Sequence, residues 1–182
     1  REAVVELARF QEQGLREALL LLERHWGVMV ADAVGLGKTF IALRIMEHYL
    51  IARRRKGFVP KGLVICPAQL RDSMWKPELD QYGIPATIVS QELVGQEDFD
   101  WRQYQNYDLV VVDESHNFRT PGANRYRNLL RLIASGRRDK RVVLLTATPI
   151  NNSLWDLYHQ FLLLTRGSDT YYHDYGIPNL DG

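Results

Sequence analysis

The chain has 182 residues, 46% of them apolar and 25% charged, with a formal net charge of +1. That length suggests one domain with a sizeable core, and the single cysteine, Cys66, excludes an internal disulfide and fits a reducing compartment. The near-neutral balance does not itself point to nucleic acid, five scattered histidines give no metal-ligand spacing, and no apolar run approaches a membrane span.

The N-terminus, REAVVELARF, is charged and has no signal-peptide core. It begins with Arg, so a fragment of a longer protein is expected, cytoplasmic (or nuclear in a eukaryote) and not secreted. Glu2 to Arg24 reads as a helix or helix pair that Gly14 breaks or bends. A strand follows at Val28–Ala31 and runs into the glycine-rich DAVGLGKT, Asp32–Thr39. The alternation then continues with helix Thr39–Arg54, strand Leu63–Cys66, helix Gln69–Gln81, strand Ala86–Val89, strand Leu109–Val112, helix Arg125–Ala134, strand Val142–Leu145 and helix Leu154–Leu164. The strands are short, apolar and β-branched without alternation, the pattern of parallel strands buried on both faces. This order predicts a doubly wound, mainly parallel α/β domain. Residues 1–166 form the expected domain, with a helical entry over 1–25. Residues 167–182, rich in turn formers and tyrosine, read as the start of a connection.

Polar residues gather at the C-terminal ends of four strands: Asp32 and the glycine loop, Pro67-Ala68-Gln69, Asp113-Glu114-Ser115-His116, and Thr146-Ala147-Thr148-Pro149. Ligands of open α/β sheets bind outside that edge. In GLGKT, Gly35 and Gly37 leave room for phosphate oxygens against the backbone, and Leu36 lies between them. The next helix presents free N–H groups. Lys38 would reach the β/γ-phosphates and Thr39 would bind Mg²⁺. The strict phosphate-loop pattern has Gly where this chain has Asp32, and an ordinary tight turn before a helix is the alternative. Asp113 follows four apolar strand residues, as a magnesium-holding aspartate does, and the adjacent Glu114 could activate water. Two neighbouring carboxylates at a buried strand tip repel each other unless a cation neutralises them. Trp26, Trp75 and Trp155 read as packing residues. The RRRK run, Arg53–Lys56, reads as a solvated helix end.

Together these motifs resemble the first RecA-like lobe of a superfamily 2 helicase, most closely the Swi/Snf-type DNA translocases and their bacterial relatives. DAVGLGKT is similar to their motif I, which carries Asp at its first position. VICPAQLRDSMWKPEL (Val64–Leu79) resembles motif Ia, DESH (Asp113–His116) motif II, LLTATPINNSLWDLYHQFLLL (Leu144–Leu164) motif III and its helix, and LARFQEQGL (Leu7–Leu15) the adenine-reading segment. The resemblance implies that Gln11 reads adenine, Gly35, Leu36, Gly37, Lys38 and Thr39 hold ATP, and Thr39 and Asp113 hold Mg²⁺. It implies that Lys38, Asp113 and Glu114 act in hydrolysis. His116, Thr146 and Thr148 would couple nucleotide state to the nucleic-acid track. Backbone contacts near Pro67, Ala68 and Gln69, aided by Arg71 and Arg119, would hold phosphates of duplex DNA. Asn117 and Arg125 are solvated loop residues or further contacts. The family closes ATP between two lobes, so a second lobe of the same full-length chain is expected, and the isolated lobe should be nearly inactive. An RNA helicase, a strand-separating DNA helicase and a catalytically silent nucleic-acid-binding scaffold are the alternatives.

Overall fold

The computed structural model describes residues 9–31, 37–148 and 154–171. Five strands, β1 (Gly27–Ala31), β2 (Gly62–Cys66), β3 (Ala86–Ser90), β4 (Leu109–Val112) and β5 (Arg141–Thr146), form one sheet in the order β1-β5-β4-β2-β3. Every pairing is parallel. The apolar runs therefore face helices on both sides, and each strand divides its side chains by parity between two cores. Val64, Cys66, Leu109, Val111, Val143 and Leu145 enter one core, and Leu63, Ile65, Val110, Val112, Val142 and Leu144 enter the other.

The first core is covered by α1 (Arg9–His25), α2 (Gly37–Met46) and a helical run after β2. That run consists of α3 (Ala68–Leu70), a π-helical turn (Arg71–Trp75) and α4 (Lys76–Gln81). The second core lies under α5 (Gln91–Val94), α6 (Asn124–Ala134) and α7 (Leu154–Leu164). The ammonium of Lys140, fully buried, donates to the carbonyls of Leu132 (2.6 Å) and Ser135 (2.7 Å) and so closes the C-terminal end of α6.

All five predicted strands form, within a residue at either end. Three expectations about helices and tryptophans are corrected. Gly14 does not break α1, which runs through it. A Cβ at Gly14 would sit 3.4 Å from Ile41 Cδ1, so α1 packs against α2 here at a distance that leaves room for one. The helix predicted over Thr39–Arg54 begins at Gly37 and ends in a π-helical stretch, Glu47–Ala52. Trp155 is 58% exposed, whereas Trp75 is fully buried. The predicted helical start before Arg9 lies outside the described residues.

Register places the C-terminal ends of β1, β2, β4 and β5 on one edge. Ala31 pairs with Thr146, Val112 with Leu144, and Ile65 with Val112. The described residues that follow β2, β4 and β5 therefore emerge side by side.

Candidate functional site

Of the glycine-rich segment, Asp32–Leu36, with Gly35 and Leu36, lies outside the described residues. Gly37, Lys38 and Thr39 form the first turn of α2, where amide N–H groups have no intrahelical acceptor. Lys38 is only 5% exposed. Its ammonium bears on Asp113, lowering that carboxyl's pKa against the larger effect of burial, which raises it. Asp113 is 6% exposed, and Trp75 Nε1 donates to its Oδ2 at 2.9 Å while Glu114 N donates to its Oδ1 at 2.8 Å. The π-helical turn Arg71–Trp75 sets this up: it presents Trp75 to Asp113, and Met74 Sδ lies 3.9 Å from Thr39 Oγ1. π-bulges concentrate at functional positions, and nothing in the residue spacing announced this one.

Glu114 sits in the left-handed region, φ 47° and ψ 48°. A side chain there costs about 1–2 kcal/mol, so the surroundings must hold it. Its carboxylate Oε2 is 3.3 Å from His116 Nδ1, which is also 3.2 Å from Thr146 Oγ1. Thr146 Oγ1 accepts from the Thr148 amide at 3.2 Å. Ser115, fully buried, donates to Gln160 Oε1 on α7 at 2.8 Å. Asp113, Glu114, His116, Thr146 and Thr148 are thus brought into one network across the tips of β4 and β5. Gln11 lies half-buried in the first turns of α1, three residues before the Gly14 contact with Ile41 of α2.

Beside the network is an open cleft of about 790 Å³ lined by Pro67, Ala68, Gln69, Leu70, Gln91, Glu92, Glu114, His116, Asn117 and Arg125. Pro67, Ala68 and Gln69 are among them. Arg71 and Arg119 are not among the lining residues; Arg71 is exposed and pairs with Asp72 at 3.5 Å. Arg125 supplies the cleft's basic group. The Ala68 amide, expected to meet a phosphate, donates to Glu92 Oε2 at 3.0 Å. Gln91 and Glu92 carried no motif signal, because their partners lie 22 and 24 residues away.

The oxygen donors Thr39 and Asp113 are of the kind Mg²⁺ prefers. No group of three or more His, Cys, Asp or Glu able to hold a metal occurs among the described residues.

An all-parallel sheet with a nucleotide-type helix start after β1 and an acidic tip after β4 defines a RecA-like lobe. A family model for the SNF2-related domain matches residues 10–107, and the chain belongs to that family. It is 32% identical over 161 residues to the uncharacterized ATP-dependent helicase YqhH of Bacillus subtilis, covering 76% of this chain and 26% of that protein. It is 27% identical over 194 residues to the SWI/SNF-related matrix-associated actin-dependent regulator of chromatin subfamily A-like protein 1 of Xenopus laevis, covering 96% and 19%. Against the human DNA annealing helicase and endonuclease ZRANB3 the identity is 30%, over 85% of this chain and 15% of that one. The chain therefore spans about a quarter or less of these relatives. The Sulfolobus solfataricus SWI2/SNF2 ATPase core in complex with dsDNA superposes with a TM-score of 0.73 at 20% identity, over 96% of this chain and 38% of that one. That likeness supports the fold.

Proposed function

We propose that this chain is the ATP-binding lobe of an ATP-dependent translocase acting on double-stranded DNA. Residues 1–166 form the lobe, residues 167–182 lead towards a second lobe of the full-length protein, and the protein works in the cytoplasm or nucleus. The observation that carries this reading is the junction at His116, within reach of both Glu114 Oε2 and Thr146 Oγ1. It joins an acidic nucleotide-facing tip to a strand end beside an open cleft. Family membership supports ATP use, and the DNA-directed names of the relatives and of the structural neighbour support the partner.

Lys38 holds the β/γ-phosphates, supported by the amides of the first turn of α2. Gln11 reads the adenine. Thr39 and Asp113 would hold Mg²⁺, which when bound neutralises charge on the phosphates. Burial that disfavours the Asp113 anion is partly offset by the Trp75 indole N–H and Lys38, and a divalent cation acts in the same direction as these two. Glu114 accepts a proton from the attacking water at its carboxylate. His116, Thr146 and Thr148 relay the state of that tip to the cleft, where phosphates of one duplex meet the turn at Pro67–Gln69.

Titration of a fluorescent ATP analogue with Mg²⁺ against the wild-type protein and Lys38→Ala tests the nucleotide assignment. Loss of at least tenfold in affinity is expected; equal affinity overturns it.

A further inference from the structure

The short helix α5 lines the cleft with Gln91 and Glu92, and Gln91 also reaches the acidic tip. Glu92, exposed, accepts the Ala68 amide at 3.0 Å, where a phosphate oxygen of a bound strand would be accommodated. Gln91, only 1% exposed, donates from Nε2 to the main-chain carbonyl of Asp113 at 2.6 Å. Its Oε1 accepts from Asn117 Nδ2 at 2.9 Å, and Asn117 lines the cleft. The Asp113 carbonyl belongs to the peptide that enters Glu114, the residue held at φ 47°. A left-handed residue persists only when its neighbours over-determine it. Gln91 is the side chain bonded to that peptide's oxygen.

α5 is also held together as one capped turn. Ser90 Oγ accepts the Leu93 amide at 3.1 Å and caps its start. Asn128 Nδ2 donates to the carbonyls of Val94 and Gln96, each at 2.9 Å, and grips its end. A displacement at Glu92 is therefore passed to Gln91 through a single capped turn.

We propose that α5 couples the cleft to the acidic tip. Glu92 holds the place of a nucleic-acid phosphate at the Ala68 amide, and Gln91 carries its displacement to the Asp113–Glu114 peptide. Gln91 is a positioning residue, acting through Glu114. The proposal rests on the functional reading above and adds where the cleft's occupancy is sensed. A phosphate entering the cleft meets a carboxylate of like charge. It therefore gains the amide only by expelling Glu92, which makes the empty cleft self-occupied and the filled one distinguishable.

Two variants of the full-length protein test this. Glu92→Gln, at an exposed position, removes the competing charge and is expected to raise duplex DNA affinity at least threefold at fixed salt. Gln91→Leu is expected to lower DNA-stimulated kcat about tenfold while KM for ATP stays within twofold, because only the tip is mispositioned. Unchanged or weaker DNA binding by Glu92→Gln overturns the proposal. So does an intact kcat in Gln91→Leu, or a KM that rises in step with the fall in kcat. Should no nucleic acid stimulate the wild-type enzyme, the functional reading itself fails. Amide hydrogen exchange then decides the positioning role: faster exchange over Glu114–Asn117 in Gln91→Leu than in wild type supports it, and equal exchange overturns it.

Discussion

Replacing Trp75 with Phe removes one donor and part of one ring at a site where both matter. The indole is fully buried, and its N–H reaches Asp113 Oδ2 at 2.9 Å. Burial is the largest influence on Asp113 and pushes its pKa up; the Trp75 bond is the largest one pulling it back down. A hydrogen bond to a charged group contributes about 1.5–3 kcal/mol. The lost ring volume adds about 1–2 kcal/mol, less than the full truncation of a buried tryptophan. The sum, about 2.5–5 kcal/mol, is a large part of a total stability of about 5–15 kcal/mol. Urea unfolding at about pH 7.5 reads it directly: with an m-value near the top of about 1–3 kcal/mol/M, the midpoint falls by about 1 M. The pH dependence separates the two contributions. A carboxyl whose folded pKa is raised loses stability as pH rises through the interval above its ordinary value, and Trp75→Phe makes that loss steeper. Acidification protonates Asp113 and removes the charge from that hydrogen bond, so the difference between variant and wild type should shrink as pH falls. A difference below about 1 kcal/mol at pH 7.5, or one that does not change with pH, would refute the reasoning.

Two glycines should respond in opposite directions. Gly14→Ala is expected to stabilise the chain by about 0.5–1 kcal/mol, since the residue lies inside a helix and its new Cβ would meet Ile41 at 3.4 Å, ordinary contact. Gly62→Ala is expected to cost about 1–3 kcal/mol, because the new Cβ collides with the Leu50 side chain in a close-packed interior. Thermal unfolding of both variants checks the pair. In the full-length protein, Glu114→Gln should keep nucleotide affinity and lose about 10²–10⁴-fold in turnover, measured by phosphate release; unchanged turnover would place the base elsewhere.

The strands were legible because burial on both faces leaves an unbroken apolar run that few other structures need. The clustering of Asp113, Thr146 and Pro67 on one edge followed from the same fact, since parallel strands end side by side. Gly14 misled because glycine signals both a helix break and a close helix crossing, and only the position of Ile41 distinguishes them. The π-helical turn at Arg71–Trp75 carries no periodic signature, yet it brings Trp75 to Asp113. Arg71 and Arg119 lie outside the cleft lining, whereas Arg125 lines it from α6. Gln91 and Glu92 were illegible for a different reason: their chemistry depends on partners in other elements.

The most direct measurement is steady-state ATP turnover by the full-length protein with matched duplex DNA, single-stranded DNA and RNA. The junction of Glu114, His116 and Thr146 beside the cleft predicts turnover that rises most with duplex DNA and depends little on its base sequence, because contacts to phosphates carry no sequence information. Stimulation by RNA alone would contradict the duplex assignment, and equal turnover with and without every nucleic acid would contradict the coupling of tip and cleft.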